Sequence, residues 1–129
     1  MPVRMFWEDE REEILRYELE GDWTWEEAYT QYDRAMVPES DYPYRVDVIM
    51  HFFSGSRLPA DAMLHMATMA QQQPENIGLI VLVTTHDMLR RMVTTAAKLY
   101  PHTQRYYRVA TTLNEAHSII VRDRAASGA

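Results

Sequence analysis

A chain of 129 residues with 47% hydrophobic and 25% charged side chains has enough apolar material for one domain with a core of its own. Its net charge of −6 argues against non-specific binding to nucleic acid or anionic membranes, which needs clustered Lys and Arg. With no cysteine, disulfides, thiol catalysis and Cys-ligated metals are excluded.

The opening MPVRMFWEDEREE turns acidic after seven residues and lacks the apolar core of a signal peptide. The longest apolar run, IGLIVLV, is too short to span a bilayer. A cytoplasmic protein is the expectation. Residues 3–8 and 14–20 read as two strands. In the second, Leu15, Tyr17 and Leu19 alternate with Arg16, Glu18 and Glu20, the period of a half-buried strand. The charged link 9–13 reads as a hairpin turn without an Asn-Gly signal.

Thr24 with Glu27 fits a capping box, and Trp25, Ala28, Tyr29, Tyr32, Ala35 and Met36 follow at helical spacing. Pro38 is expected to stop that helix, leaving 38–43 as a loop. Residues 46–53 form an apolar run broken by Asp47 and His51, suited to a strand buried on both faces. Pro59 suits the first turn of the next helix, with Met63, Leu64, Ala67 and Ala70 as its apolar stripe.

IGLIVLV is the clearest strand and is placed at the sheet centre. Thr84 or Thr85 caps the following helix, whose buried face is Leu89, Met92, Val93, Ala96 and Leu99. Pro101 ends it, and residues 105–109 form a short strand in which Tyr106 and Tyr107 alternate faces, one core and one surface. Thr112 with Glu115 forms a second capping box before an amphipathic helix carrying Ala116, Ile119 and Ile120. One domain over 1–124 is expected, with a disordered tail at 125–129. The order is β-β-α-β-α-β-α-β-α. It implies an α/β fold with a mostly parallel five-stranded sheet, right-handed crossovers, four helices and an antiparallel strand from the N-terminal hairpin.

The stretches GDWTWEE, VDVIMHF, IGLIVLV and TTLNEAHSII resemble a STAS-like group of small bacterial proteins. The fold is that of the bacterial anti-sigma-factor antagonists, and the resemblance covers roughly residues 12–122. It implies a non-enzymatic regulatory domain that docks on a protein partner. In the antagonists, a serine in an Asp-Ser-x-Gly pattern opens the helix after the middle strand and is phosphorylated by a partner kinase. The corresponding segment here is LPADAM, which places the regulatory position near Ala60 or Asp61. Neither is serine, and Ala62 or Met63 replaces the glycine, so the switch does not carry over. Asp61 is expected to supply a fixed negative charge in the helix's first turn, worth about 0.3–1 kcal/mol against the helix dipole.

The partner-binding surface is placed at the loop and helix start: Ser54, Gly55, Ser56, Arg57 and Asp61. The plainer reading of the two serines is a turn that Gly55 permits and Ser56 helps to cap. The segment has one glycine and is no phosphate loop. A second reading, from another class, is a nucleotide- or apolar-metabolite-binding module with Trp23, Trp25, His51 and His86 lining the pocket. His51 and His86 stand at the C-terminal ends of neighbouring strands, where α/β ligands usually bind. The five histidines show no H-x-H or H-E-x-x-H spacing, and no nucleophile is arranged with them. No metal, cofactor or catalytic residue is expected. Met63, Met66 and Met69 recur along one side of a helix, and a homodimer through such Met-rich helices is a structural alternative. Arg90, Arg91 and Lys98 read as a solvated basic face.

Overall fold

The computed structural model describes residues 3–40 and 42–127, and for 35–40 the backbone alone. In chain order the elements are β1 (Val3–Trp7), β2 (Ile14–Leu19), α1 (Trp25–Ser40), β3 (Val46–Phe52), α2 (Ala62–Gln71), β4 (Ile77–Val83), α3 (Asp87–Leu99), β5 (Tyr107–Ala110) and α4 (Leu113–Ala126). The strands lie side by side in the order β1-β2-β3-β4-β5, with β1 antiparallel to β2 and the other pairs parallel. This is the α/β architecture expected from the element order.

Sequential strand order decides where the helices go. Each crossover steps to the adjacent strand in one direction, and a constant hand then puts every crossover helix on one face. Ala28 of α1, Met66 and Ala70 of α2 and Leu89 of α3 all pack on Leu15, Leu19, Val48, Met50, Phe52, Ile80 and Leu82. The final helix crosses to the other face. There Ala116 and Ile120 of α4 cover Ile49, Leu79, Val81, Val83 and Ala110.

The hairpin between β1 and β2 turns on an aspartate. Asp9 Oδ1 accepts hydrogen bonds from the N–H groups of Glu13 (3.0 Å) and Ile14 (3.3 Å), and Glu12 takes the left-handed conformation at φ 58°. Both expected caps form: Thr24 Oγ1 accepts from Glu27 N at 3.2 Å and Thr112 Oγ1 from Glu115 N at 3.1 Å, and Glu27 closes its box on Thr24 N at 3.0 Å whereas Glu115 reaches Thr111 N at 3.1 Å instead.

Several local expectations change. α1 runs to Ser40, past Pro38; proline removes one N–H bond and crowds the carbonyl four residues back, and both effects fall in the last two turns of this helix. α2 begins at Ala62, so Pro59 lies before the helix. Leu64 and Leu99 are exposed, because the buried stripe of α2 is Ala62, Met66, Ala67, Met69 and Ala70, which keeps Ala67 and Ala70 of the expected stripe, and that of α3 ends at Ala96. The buried Met66 and Met69 therefore belong to the core. Tyr106 and Tyr107 are both buried. Tyr106 closes a single 3-10 turn over Pro101–Arg105 and the strand starts one residue later, so strand alternation does not relate the two rings. α4 holds Ala125 and Ala126, and residues 128–129 of the expected tail lie outside the described residues.

Asp47, which interrupts the apolar run of β3, is fully buried. Its Oδ1 accepts from Arg45 Nε (3.0 Å), Arg45 Nη2 (2.8 Å) and Leu79 N (2.7 Å), and its Oδ2 from Arg124 Nε (2.6 Å). Arg45 continues to Asp123, and Arg124 to Glu13. This network fastens α4 to the sheet across a register shift, where β3 advances from Val46 to Val48 while its partners in β4 run from Ile77 to Ile80.

Candidate functional site

Parallel strands β3 and β4 end together, and the chain leaving each one builds half of a cleft. After β3, Phe53 N donates to Leu19 O at 3.0 Å, and Ser56 N donates back to Phe53 O at 3.0 Å. Gly55 supplies the third turn position at φ +85°, which suits a type II turn and strains any side-chain-bearing residue. Arg57 N then donates to Gly21 O at 2.9 Å, pinning the loop to the β2–α1 link. Trp25 Nε1 holds the far end through Ala60 O at 2.8 Å. Asp61 is the N-cap of α2, at φ 60° with no side-chain capping bond, rather than a residue of its first turn.

After β4 the chain passes through Thr84, buried at the strand end. Thr84 Oγ1 accepts from His86 N at 3.0 Å, but the N-cap of α3 is His86 itself, which makes no side-chain capping bond. Between these two segments lies a cleft of about 390 Å³, lined by Phe52, Ser56, Arg57, Leu58, Thr84, His86, Met88 and Leu89. It opens at the C-terminal edge of the parallel strands, where ligands enter open α/β sheets.

The structure brings Ser56, Arg57 and His86 into this one cleft. Ser54, Gly55 and Asp61 are exposed and do not line it. The four side chains expected to share a pocket are divided. Trp23 is buried and meets Trp25 edge-on at 4.9 Å, with Phe52 at 6.1 Å, so it stands behind the cleft floor. Trp25 stacks on His65 at 4.5 Å, and Tyr29 reaches the same imidazole at 2.7 Å, tying α1 to α2.

His51 is on the other face of the sheet, beside Glu18 of β2 and edge-on to Phe53 at 4.6 Å. Strand alternation is the cause: Phe52 points to the cleft side, so its neighbour His51 points away. His51 therefore does not approach His86. The apolar floor of Phe52, Leu58 and Leu89, with Met88 at the mouth, was not read from the sequence. Only the alternation of 46–53, which sets Phe52 on the same side as Val48 and Met50, carried any signal of it.

Next to His51 the same face carries a charged cluster. Glu18, only 5% exposed, receives both Arg4 and Arg16; Arg16 also reaches Glu8 at 3.1 Å, and His117 meets Glu8 at 3.0 Å. Burial lowers the pKa of His51 below its ordinary 6.5; the Arg16 cation lowers it further, and Glu18 opposes both. The fold thus favours the neutral ring. Between its unfolded and its lower folded pKa the unfolded chain binds more protons, so stability falls as pH drops below about 6.5. His51→Gln should flatten this part of the profile, read as urea midpoints at about pH 5 and about pH 7.5. An unchanged pH dependence would assign the acid loss to other groups.

Among the described residues, no three His, Asp or Glu side chains converge as metal ligands would, and no helix is long and apolar enough to cross a membrane. The fold and the cleft define an α/β domain with a preformed concavity at its strand ends. No protein-family profile, curated protein or solved structure matches the chain.

Proposed function

We propose that the chain is a STAS-like regulatory domain that works by contact with a protein partner, without bond chemistry of its own and without a phospho-serine switch. The contact surface is the loop between β3 and α2. The observation that carries this reading is the form of that loop. Backbone bonds to Leu19 and Gly21 hold it in place, while Ser54, Arg57 and Asp61 stay exposed at its tip and end. A fixed loop with exposed polar side chains suits docking, since little ordering entropy remains to be lost on contact. The element order and the resemblance of residues 12–122 to STAS-like proteins support the same reading. The test compares the wild type with the double variant Arg57→Glu, Asp61→Arg in pull-downs from a bacterial lysate. Loss of specific partners is expected, and identical partner sets would remove the loop from the proposal.

The cleft favours a second reading, a small-molecule-binding module. Its size and its mostly apolar lining with a few polar groups are those of ligand pockets. A thermal-shift screen against nucleotides, lipids and common metabolites separates the two. A ligand present at 100 times its Kd adds about 2.7 kcal/mol of stability, and no stabilisation by any compound would argue for protein contact alone.

A further inference from the structure

We propose that the cleft takes a small organic acid, with its anionic head between Ser56, Arg57 and the start of α3 and its apolar body on Phe52, Leu58 and Leu89. This rests on the second reading above and names the ligand chemistry.

Four observations point to an anion. In a chain of net charge −6, no acidic side chain lines the cleft among the described residues; the polar ones are Ser56, Arg57, Thr84 and His86. Ser56 is 8% exposed and lines the cleft, yet its hydroxyl has no hydrogen-bond partner among the described residues. That hydroxyl opens onto the cleft, free to donate to a ligand oxygen. Among the described residues the Arg57 guanidinium is held only by Asp22, at 3.4 Å and with both side chains at least 80% exposed. Such a surface pair is weak and easily exchanged for a ligand carboxylate. Finally, α3 opens at the cleft. Its N-cap His86 leaves the first N–H groups without a side-chain acceptor, and these and the helix dipole favour a negative group. Asp87 in that turn is exposed and does not line the cleft.

The rest of the cleft fits an apolar body. Phe52 and Leu89 are buried, Leu58 is half-buried, and Trp23 backs Phe52. A nucleotide would bring a polar sugar against this floor. A carboxylic acid with a hydrocarbon body matches both ends.

The experiment is calorimetric titration of the full chain with three probes sharing one eight-carbon tail: octanoate, octan-1-ol and octylamine. Octanoate should bind about tenfold or more tighter than the alcohol, and the amine weakest. Arg57→Glu, at an exposed position that should leave the circular dichroism spectrum unchanged, should bring octanoate down to the level of the alcohol. Equal binding of acid and alcohol would overturn the acid assignment and leave the small-molecule reading standing. Octanoate binding indifferent to Arg57→Glu would place the anion elsewhere and overturn the proposal. Failure of all three probes to bind would overturn the proposal and remove its support from the small-molecule reading.

Discussion

Asp47→Ala should lower the unfolding free energy by about 3–5 kcal/mol, the cost of breaking a buried ion pair by removing one partner. The carboxylate accepts four hydrogen bonds, from both Arg45 nitrogens, Arg124 Nε and Leu79 N. Truncation removes the buried carboxylate that the two guanidinium groups share, leaving Arg45 only Asp123 and Arg124 only Glu13 among the described residues, and it leaves the Leu79 N–H without its acceptor. Asp47→Asn should cost less, because the amide keeps one acceptor oxygen while losing the charge. The measurement is the urea midpoint at constant m-value, so that a change in stability is not mistaken for a change in the denatured state. Arg124→Ala combined with Asp47→Ala should cost less than the sum of the two, because both act through one network. A loss below about 1 kcal/mol for Asp47→Ala would show that the network does not fasten α4, since ordinary exposed pairs have that value.

The same network accounts for Gly78. A Cβ built there would collide with Arg45 Nε and Asp47 Oδ1. The glycine is therefore the gap in β4 through which the ion pair passes, beside the residue whose N–H turns to Asp47. In the sequence it reads only as one position in the strand IGLIVLV.

This contrast shows what the sequence made legible. The element order followed from local signals: the alternation of Leu15, Tyr17 and Leu19, the capping boxes at Thr24 and Thr112, and the apolar run of β4. Each depends on neighbours within a few residues. The partners of Asp47 lie in four segments, from Glu13 to Arg124, so an acid inside an apolar strand could be noticed but not explained. The cleft divides in the same way. The turn 53–56 was readable from Ser54, Gly55 and Ser56. The floor was not, because Leu58, from the loop after β3, and Leu89, from the first turn of α3, meet only after β3 and β4 pair. The grouping of His51 with His86 failed for a simpler reason: adjacent residues on a strand face opposite ways, and the choice of Phe52 for one face settles His51 on the other.

Trp23→Ala should be as damaging as the loss of Asp47, by about 3–5 kcal/mol, the usual range for deleting a buried aromatic ring. Trp23 is 2% exposed and packs between Trp25 and Phe52. The cavity left behind would lie directly under the cleft floor, so Phe52 would lose its backing as well. Trp23→Phe should cost much less. It keeps most of the ring area, and it removes the indole N–H, which is buried without an acceptor among the described residues. Trp25→Ala should fall between the two, since that ring is only half-buried and its stacking on His65 and its bond to Ala60 O lie at the surface. Chemical denaturation followed by circular dichroism ranks the three. The same variants separate packing from binding: Trp23→Phe should retain the cleft's ligand affinity, whereas Trp23→Ala should weaken it even under conditions where the chain is still folded. If Trp23→Ala leaves affinity unchanged in the folded protein, Phe52 does not depend on Trp23 for its position, and the cleft floor must be held by α3 alone.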